Sequence, residues 1–109
     1  MILLRVLPRA EQDIEEIALW YASEGGAEIG LDFYAALERT WEQLREFPDT
    51  GKRCSWLDTR LSEVLRYRVI SPFGNSLVFY RSNALGEVEV IRVLHSSRNA
   101  VKALLGEAA

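Results

Sequence analysis

The side chains best suited to chemistry in this sequence are one histidine, one cysteine and a run of late arginines. His95 is the only imidazole. As a general base it would need an orienting partner and an open cleft. No serine, aspartate or cysteine stands at a recognisable spacing from it, so the stronger reading is that His95 orders a strand end and the turn after it. Cys54 lies in a turn-rich stretch, and a lone cysteine is more often inert than nucleophilic. One histidine and one cysteine fall short of a zinc ligand set. No glycine loop suited to phosphate is present. No metal and no cofactor is therefore expected. The remaining candidates are Arg66, Arg68, Arg81, Arg92 and Arg98.

These residues fall in the last third of the chain, where three apolar runs of period two alternate with turn signals. The runs are read as strands over 61–70, 76–82 and 87–95, separated by turns at 71–75 and 83–86. Such short connections demand antiparallel hairpins. An earlier strand is read over 2–7. Pro8 then suits a helix start, and Ala10, Ile14, Ile17, Ala18 and Tyr21 recur at helical spacing to about Ala22. Glu11, Asp13, Glu15 and Glu16 favour that helix start electrostatically. Gly25 and Gly26 end it. A second helix runs from about Ala27 to Glu46, carrying Phe33, Leu37, Trp41 and Leu44 on one side. Gly30 would let the two helices approach closely, and Pro48 stops the second. Together they make an antiparallel αα-hairpin. Residues 47–60 show no period; Trp56 and Leu57 are expected to pin that loop. A short helix over 98–105 closes the chain.

Pairing Ile70 with Ser76 and Ser82 with Glu87 sorts the strands into two faces. Leu65, Tyr67, Val69, Leu77, Phe79, Val88, Val90 and Leu94 share one, expected to lie beneath the helices. Arg66, Arg68, Ser76, Val78, Tyr80, Glu89, Ile91, Val93 and His95 share the other, expected to be open and to bind a partner. A slip of one residue in either hairpin would undo this sorting. Arg92 is expected near the sheet core, paired with an acidic side chain from the helices. Arg81 ends a strand and is read as solvated. Trp20 and Trp41 are possible contact residues, although on such helices each is more often core.

Length and charge set the outer limits. A chain of 109 residues makes one domain, spanning 1–109, with enough apolar surface for a core without metal or disulfide. The unpaired cysteine points to a reducing compartment. The first residues do not resemble a signal peptide, and no apolar run approaches membrane-spanning length. The net charge of −3 hides an asymmetry: residues 1–49 carry eleven acids and four bases, residues 50–109 five acids and nine bases. Either the helices simply prefer glutamate on their wet side, or the late half carries a functional basic surface.

The pattern Ile91, Arg92, Val93, Leu94, His95 and Arg98, with Phe79, Tyr80 and Arg81 before it, resembles the RelE/ParE superfamily of toxins from bacterial type II toxin–antitoxin pairs, in its ParE-like branch. The acidic helix from Asp13 to Ala18 and the aromatic-rich one from Phe33 to Trp41 match the family's order of elements. The resemblance implies an α+β fold of order β-α-α-β-β-β with a short C-terminal helix: a small, mostly antiparallel sheet on an N-terminal αα-hairpin. It implies a cytoplasmic protein, a cognate antitoxin that wraps it, and DNA gyrase or a related topoisomerase as target, reached by protein contact and without nuclease chemistry. On that reading Arg66, Arg68, Tyr80, His95 and Arg98 meet protein partners, and no direct nucleic-acid or membrane contact is expected. The alternative is a RelE-like ribosome-dependent ribonuclease with Arg66, Arg68 and Arg81 as its cations, acting without a metal. Against it, Ser76 stands where that branch places an arginine, and Lys102 where many members carry a tyrosine. A third possibility is a degenerate, non-toxic member.

Overall fold

The computed structural model describes residues 2–54 and 65–95. Strand β1 (Leu4–Val6) leads through Leu7, which is extended, into Pro8, the first residue of α1 (Pro8–Gly25). Proline is well placed there because its missing N–H would have no partner in the first turn. α1 buries Ala10, Asp13, Ile14, Ile17 and Ala18, a stripe at the 3.6-residue period. Gly26, with φ +97°, turns the chain directly into α2 (Ala27–Glu46). The left-handed region is strained for any residue with a β-carbon, so glycine suits this one-residue hinge. A β-carbon at Gly30 would stand 3.2 Å from that of Ala22, so the close approach expected of the two helices is observed. α2 buries Phe33, Ala36, Leu37, Thr40, Trp41 and Leu44, and the Thr40 hydroxyl is satisfied by Ala36 O at 2.9 Å.

The sheet has five strands in the order β1-β5-β4-β3-β2. β3 is Arg66–Ile70, β4 Phe73–Ser82 and β5 Val88–Leu94. β2 is a two-residue strand, Lys52–Arg53, in the stretch read as loop; two residues are too few to show a period. β1 runs parallel to β5, and the other neighbours are antiparallel. The α+β class is therefore as expected, with one more strand. β4 begins at Phe73, so the first hairpin turn is shorter than the sequence indicated. The expected strand over 61–64, the Trp56 and Leu57 contacts, the C-terminal helix and Arg98 lie outside the described residues.

The face assignment holds for Val88 and Val90, which lie beneath the helices as expected, and has to be corrected for Leu65, Leu77, Val78, Phe79, Tyr80 and Val93. Val78, Tyr80, Val88, Val90 and Val93 pack with Ile14, Phe33 and Leu44 in the core beneath the helices. Leu77 and Phe79 lie on the opposite face with Cys54 and Leu65. Two register facts explain why Val88 and Val90 share a face with Tyr80 and not with Phe79. The first hairpin pairs Tyr67 with Phe79 and Val69 with Leu77, as the expected register requires. The second pairs Ser82 with Val88, one residue away from the expected partner, and the register shifts again between Phe79 and Tyr80, leaving Ile91 as an extra residue in β5. A bulge inverts the parity of every residue beyond it. That is how Val88, Val90 and Val93 all reach one core, which unbroken alternation forbids.

Candidate partner-binding site

Arg92 is held inside the protein by Asp13. The carboxylate accepts from Arg92 Nε at 2.7 Å, from Arg92 Nη2 at 3.0 Å and from the backbone N–H of Val93 at 3.0 Å. Arg9 adds a contact at 3.2 Å. Asp13 is 4% exposed and Arg92 6%. The bulge turns the Val93 N–H toward α1, so a backbone irregularity and a helical carboxylate form one joint. The sequence indicated an acidic partner for Arg92 but not which; Asp13 was hidden among the acids of the helix start. Removing the Asp13 carboxylate would take two hydrogen bonds from a buried guanidinium.

His95 follows β5. Its Nδ1 lies 3.5 Å from the Tyr21 hydroxyl and 3.4 Å from Ser76 Oγ, and those two hydroxyls are 3.3 Å apart. Its ring sits 4.5 Å from that of Trp20. The chain does bring a serine to its histidine, which sequence spacing concealed. Ser76 is fully buried, however, and each of these hydrogen bonds is long. The geometry suits a latch between the sheet and the end of α1.

Tyr80 does not lie on an open face. It is fully buried in the helix-side core. Its hydroxyl donates to Pro48 O at 3.0 Å and accepts from the Gly51 N–H at 2.9 Å. A β-carbon at Gly51 would collide with that hydroxyl, so glycine is what lets the loop close over it. Burial raises the Tyr80 pKa above the usual tyrosine value, against the opposing pull of the Gly51 N–H and the Arg66 and Arg68 charges. Arg66 and Arg68 share the Tyr80 side of the sheet, and both hold the same loop. Arg66 Nη1 donates to Asp49 O at 3.1 Å and Gly51 O at 2.9 Å, and Arg68 Nη1 to Thr50 Oγ1 at 2.8 Å. Both remain half-buried. Arg81 is ion-paired as well as solvated: its Nε meets Glu89 Oε1 at 3.0 Å, and that hydrogen bond holds the Glu89 carboxyl below the usual range. Cys54 is buried, and desolvation pushes its thiol up to about 11, so its reading as inert is supported.

An open apolar surface lies elsewhere. A groove of about 720 Å3 runs along the αα-hairpin, lined by Ala18, Leu19, Leu31, Tyr34, Leu37 and Trp41. Glu11, Glu15 and Glu38 also line it. Leu19, Leu31 and Tyr34 are 64%, 68% and 45% exposed. Trp41 is largely buried, while Trp20 stays 47% exposed against His95. Among the described residues no group of three or more potential ligands could hold a metal ion, and no helix is long and apolar enough to cross a membrane.

A two-helix hairpin over a mixed five-stranded sheet, with an internal arginine anchored to the first helix, defines a small α+β domain. A family model described as the ParE toxin of the type II toxin–antitoxin system parDE matches residues 4–100. Toxin ParE1 of Caulobacter vibrioides is 36% identical over 98 residues, which cover 88% of this chain and 91% of the relative. A solved structure titled as the chromosomal ParDE TA system from P. aeruginosa superposes with a TM-score of 0.72 at 18% identity, covering 88% of this chain and 97% of that one. That last likeness is one of fold. The chain belongs to the ParE toxin family of type II toxin–antitoxin systems.

Proposed function

We propose that this protein is a cytoplasmic toxin that acts by binding rather than by cutting, inhibits DNA gyrase or a related topoisomerase by protein contact, and is silenced by a cognate antitoxin. One observation carries the choice between binding and cutting. The cations that a ribonuclease would turn toward a phosphate are engaged in holding the fold: Arg66 and Arg68 on the 49–51 loop, Arg81 on Glu89. Ser76, at the position where the nuclease branch carries an arginine, is buried.

The hairpin groove is the place proposed for the antitoxin. Its exposed leucines and Tyr34 suit an amphipathic helix, and its glutamates favour lysine or arginine at that helix's margins. Arg66, Arg68 and His95 stay partly accessible and form a second contact set; Tyr80 is excluded by burial. The test is expression of the chain alone in a bacterial host. A DNA-damage response with filamentation is expected before any loss of translation. Prompt translational arrest with cleaved messages would establish the ribonuclease reading instead, and no growth defect the non-toxic one. Leu31→Arg should abolish neutralisation by the antitoxin while toxicity persists.

A further inference from the structure

The hairpin groove changes character along its length. α2 folds back along α1 from the Gly26 hinge, so a β-carbon on Gly30 would meet Ala18 O at 3.1 Å and the Ala22 β-carbon at 3.2 Å. The hinge end of the groove therefore has a floor of small residues, Ala18, Ala22 and Gly30, beside a rim of Leu19, Leu31 and Tyr34. The far end holds Leu37 and Trp41, with Glu11 and Glu15 from α1 and Glu38 from α2. All three glutamates are exposed, and no basic residue among the described ones lines the groove. Ala22 and Glu15 lie about two turns apart on α1, roughly 10 Å.

Apolar burial is non-directional. Leucines alone would let a bound helix slide or reverse in such a groove, since both ends offer hydrocarbon. Charge at one end breaks that symmetry: a lysine or arginine placed there is attracted, and a carboxylate is repelled. Flanking charges set partner choice and direction in coiled coils in the same way. The small floor adds a second asymmetry. Its side chains are no larger than a methyl group, so a bulky residue of the bound helix fits at the hinge end.

Resting on the assignment of this groove to the antitoxin, we propose that it reads the antitoxin's helix directionally. The hinge end takes a bulky apolar side chain. Lysine or arginine side chains about two turns away, on the flanks of the bound helix, meet Glu15 and Glu38. Glu15 and Glu38 are thereby specificity-determining residues: they select the charge of the helix and the direction in which it lies. Leu19, Leu31 and Tyr34 supply contact that any amphipathic helix would make. Charge also disfavours a second copy of this chain as the occupant. Residues 1–49, which hold both helices, carry eleven acids against four bases, and such a surface is repelled by an acidic groove.

The probes are blocked helical peptides of alanine and glutamine with leucines along one face and a tryptophan near one end, titrated calorimetrically into the full chain. The first carries a lysine on each flank about two turns from the tryptophan. The second has the same lysines beside the tryptophan, and the third has glutamates in place of the lysines of the first. The first should bind roughly tenfold more tightly than the second, and the third most weakly. Glu15→Lys/Glu38→Lys should reverse the order of the first and third. A circular-dichroism melt checks that the variant is folded; if it is not, Glu38→Lys alone supplies the comparison. Equal binding of the first two peptides, lost in both with Leu31→Arg, would overturn the directional reading and leave the groove as a docking site. Binding that Leu31→Arg does not disturb would overturn the groove assignment and the directional reading together. No binding of any peptide would overturn the directional reading, while neutralisation of the Leu31→Arg toxin still decides the antitoxin assignment by itself.

Discussion

Arg92 and Arg53 are both strand arginines of one sheet, and they stand in opposite electrostatic conditions. Arg92, in β5, is nearly inaccessible and shares a carboxylate with a backbone N–H and a second arginine. Arg53, in β2, faces solvent and lies opposite another arginine. The first belongs to the family pattern by which the chain is recognised, and its work is structural: it fastens the bulged strand to α1. The second is part of no motif and stays exposed. In this protein, the arginine marked by the motif holds the fold, while the unmarked Arg53 stands at the surface.

Removing the buried charge would test that contrast hardest. Asp13→Ala should cost about 3–5 kcal/mol by removing the carboxylate that the buried Arg92 guanidinium and the Val93 N–H share, read as a fall in the urea midpoint. The Asp13→Ala/Arg92→Ala double variant should cost clearly less than the sum of the two singles. Additive losses would mean the pair is not coupled and the contrast with Arg53 is only one of exposure.

Tyr80→Phe should have the next largest effect, about 1–3 kcal/mol, since the Gly51 N–H loses its acceptor and the Pro48 carbonyl its donor. It should also quicken amide exchange at Gly51. Alkaline titration probes the same interior. Cys54 and Tyr80 both have raised pKa values through burial. The folded state therefore holds these protons more tightly than the unfolded chain. Stability is full below the unfolded thiol pKa near 9.0 and declines as pH rises toward about 11. Cys54→Ala should flatten part of that decline. Cys54 should resist alkylation at neutral pH until the protein is unfolded.

At the edge, Arg53→Gln should change stability by only about 0.5 kcal/mol, in the stabilising direction, because it relieves a like-charge pair. The sign matters more than the size: a loss would show that Arg53 has a structural partner. Arg66→Glu combined with Arg68→Glu should lower the melting temperature, since Arg66 clamps Asp49 and Gly51. This pair is therefore a poor tool for isolating partner binding.

Local signals located most of the fold. Pro8, Gly26 and the apolar spacing of Phe33, Leu37, Trp41 and Leu44 mark the two helices without outside help, since capping and period are short-range properties. The two β-hairpins were legible for the same reason. β2 was not, because two residues carry no pattern. The His95 cluster was not either: Tyr21 and Ser76 are 74 and 19 residues away from it along the chain, and sequence spacing says nothing about such distances.

Composition, periodicity and turn residues by themselves determined that two helices back an antiparallel-rich sheet, and that Arg92 needs an acid. The tertiary structure alone decided which side of that sheet is inside. A single extra residue in β5 reverses strand parity, and only packing against α1, with Asp13 seated on the Val93 N–H, selects where the extra residue sits.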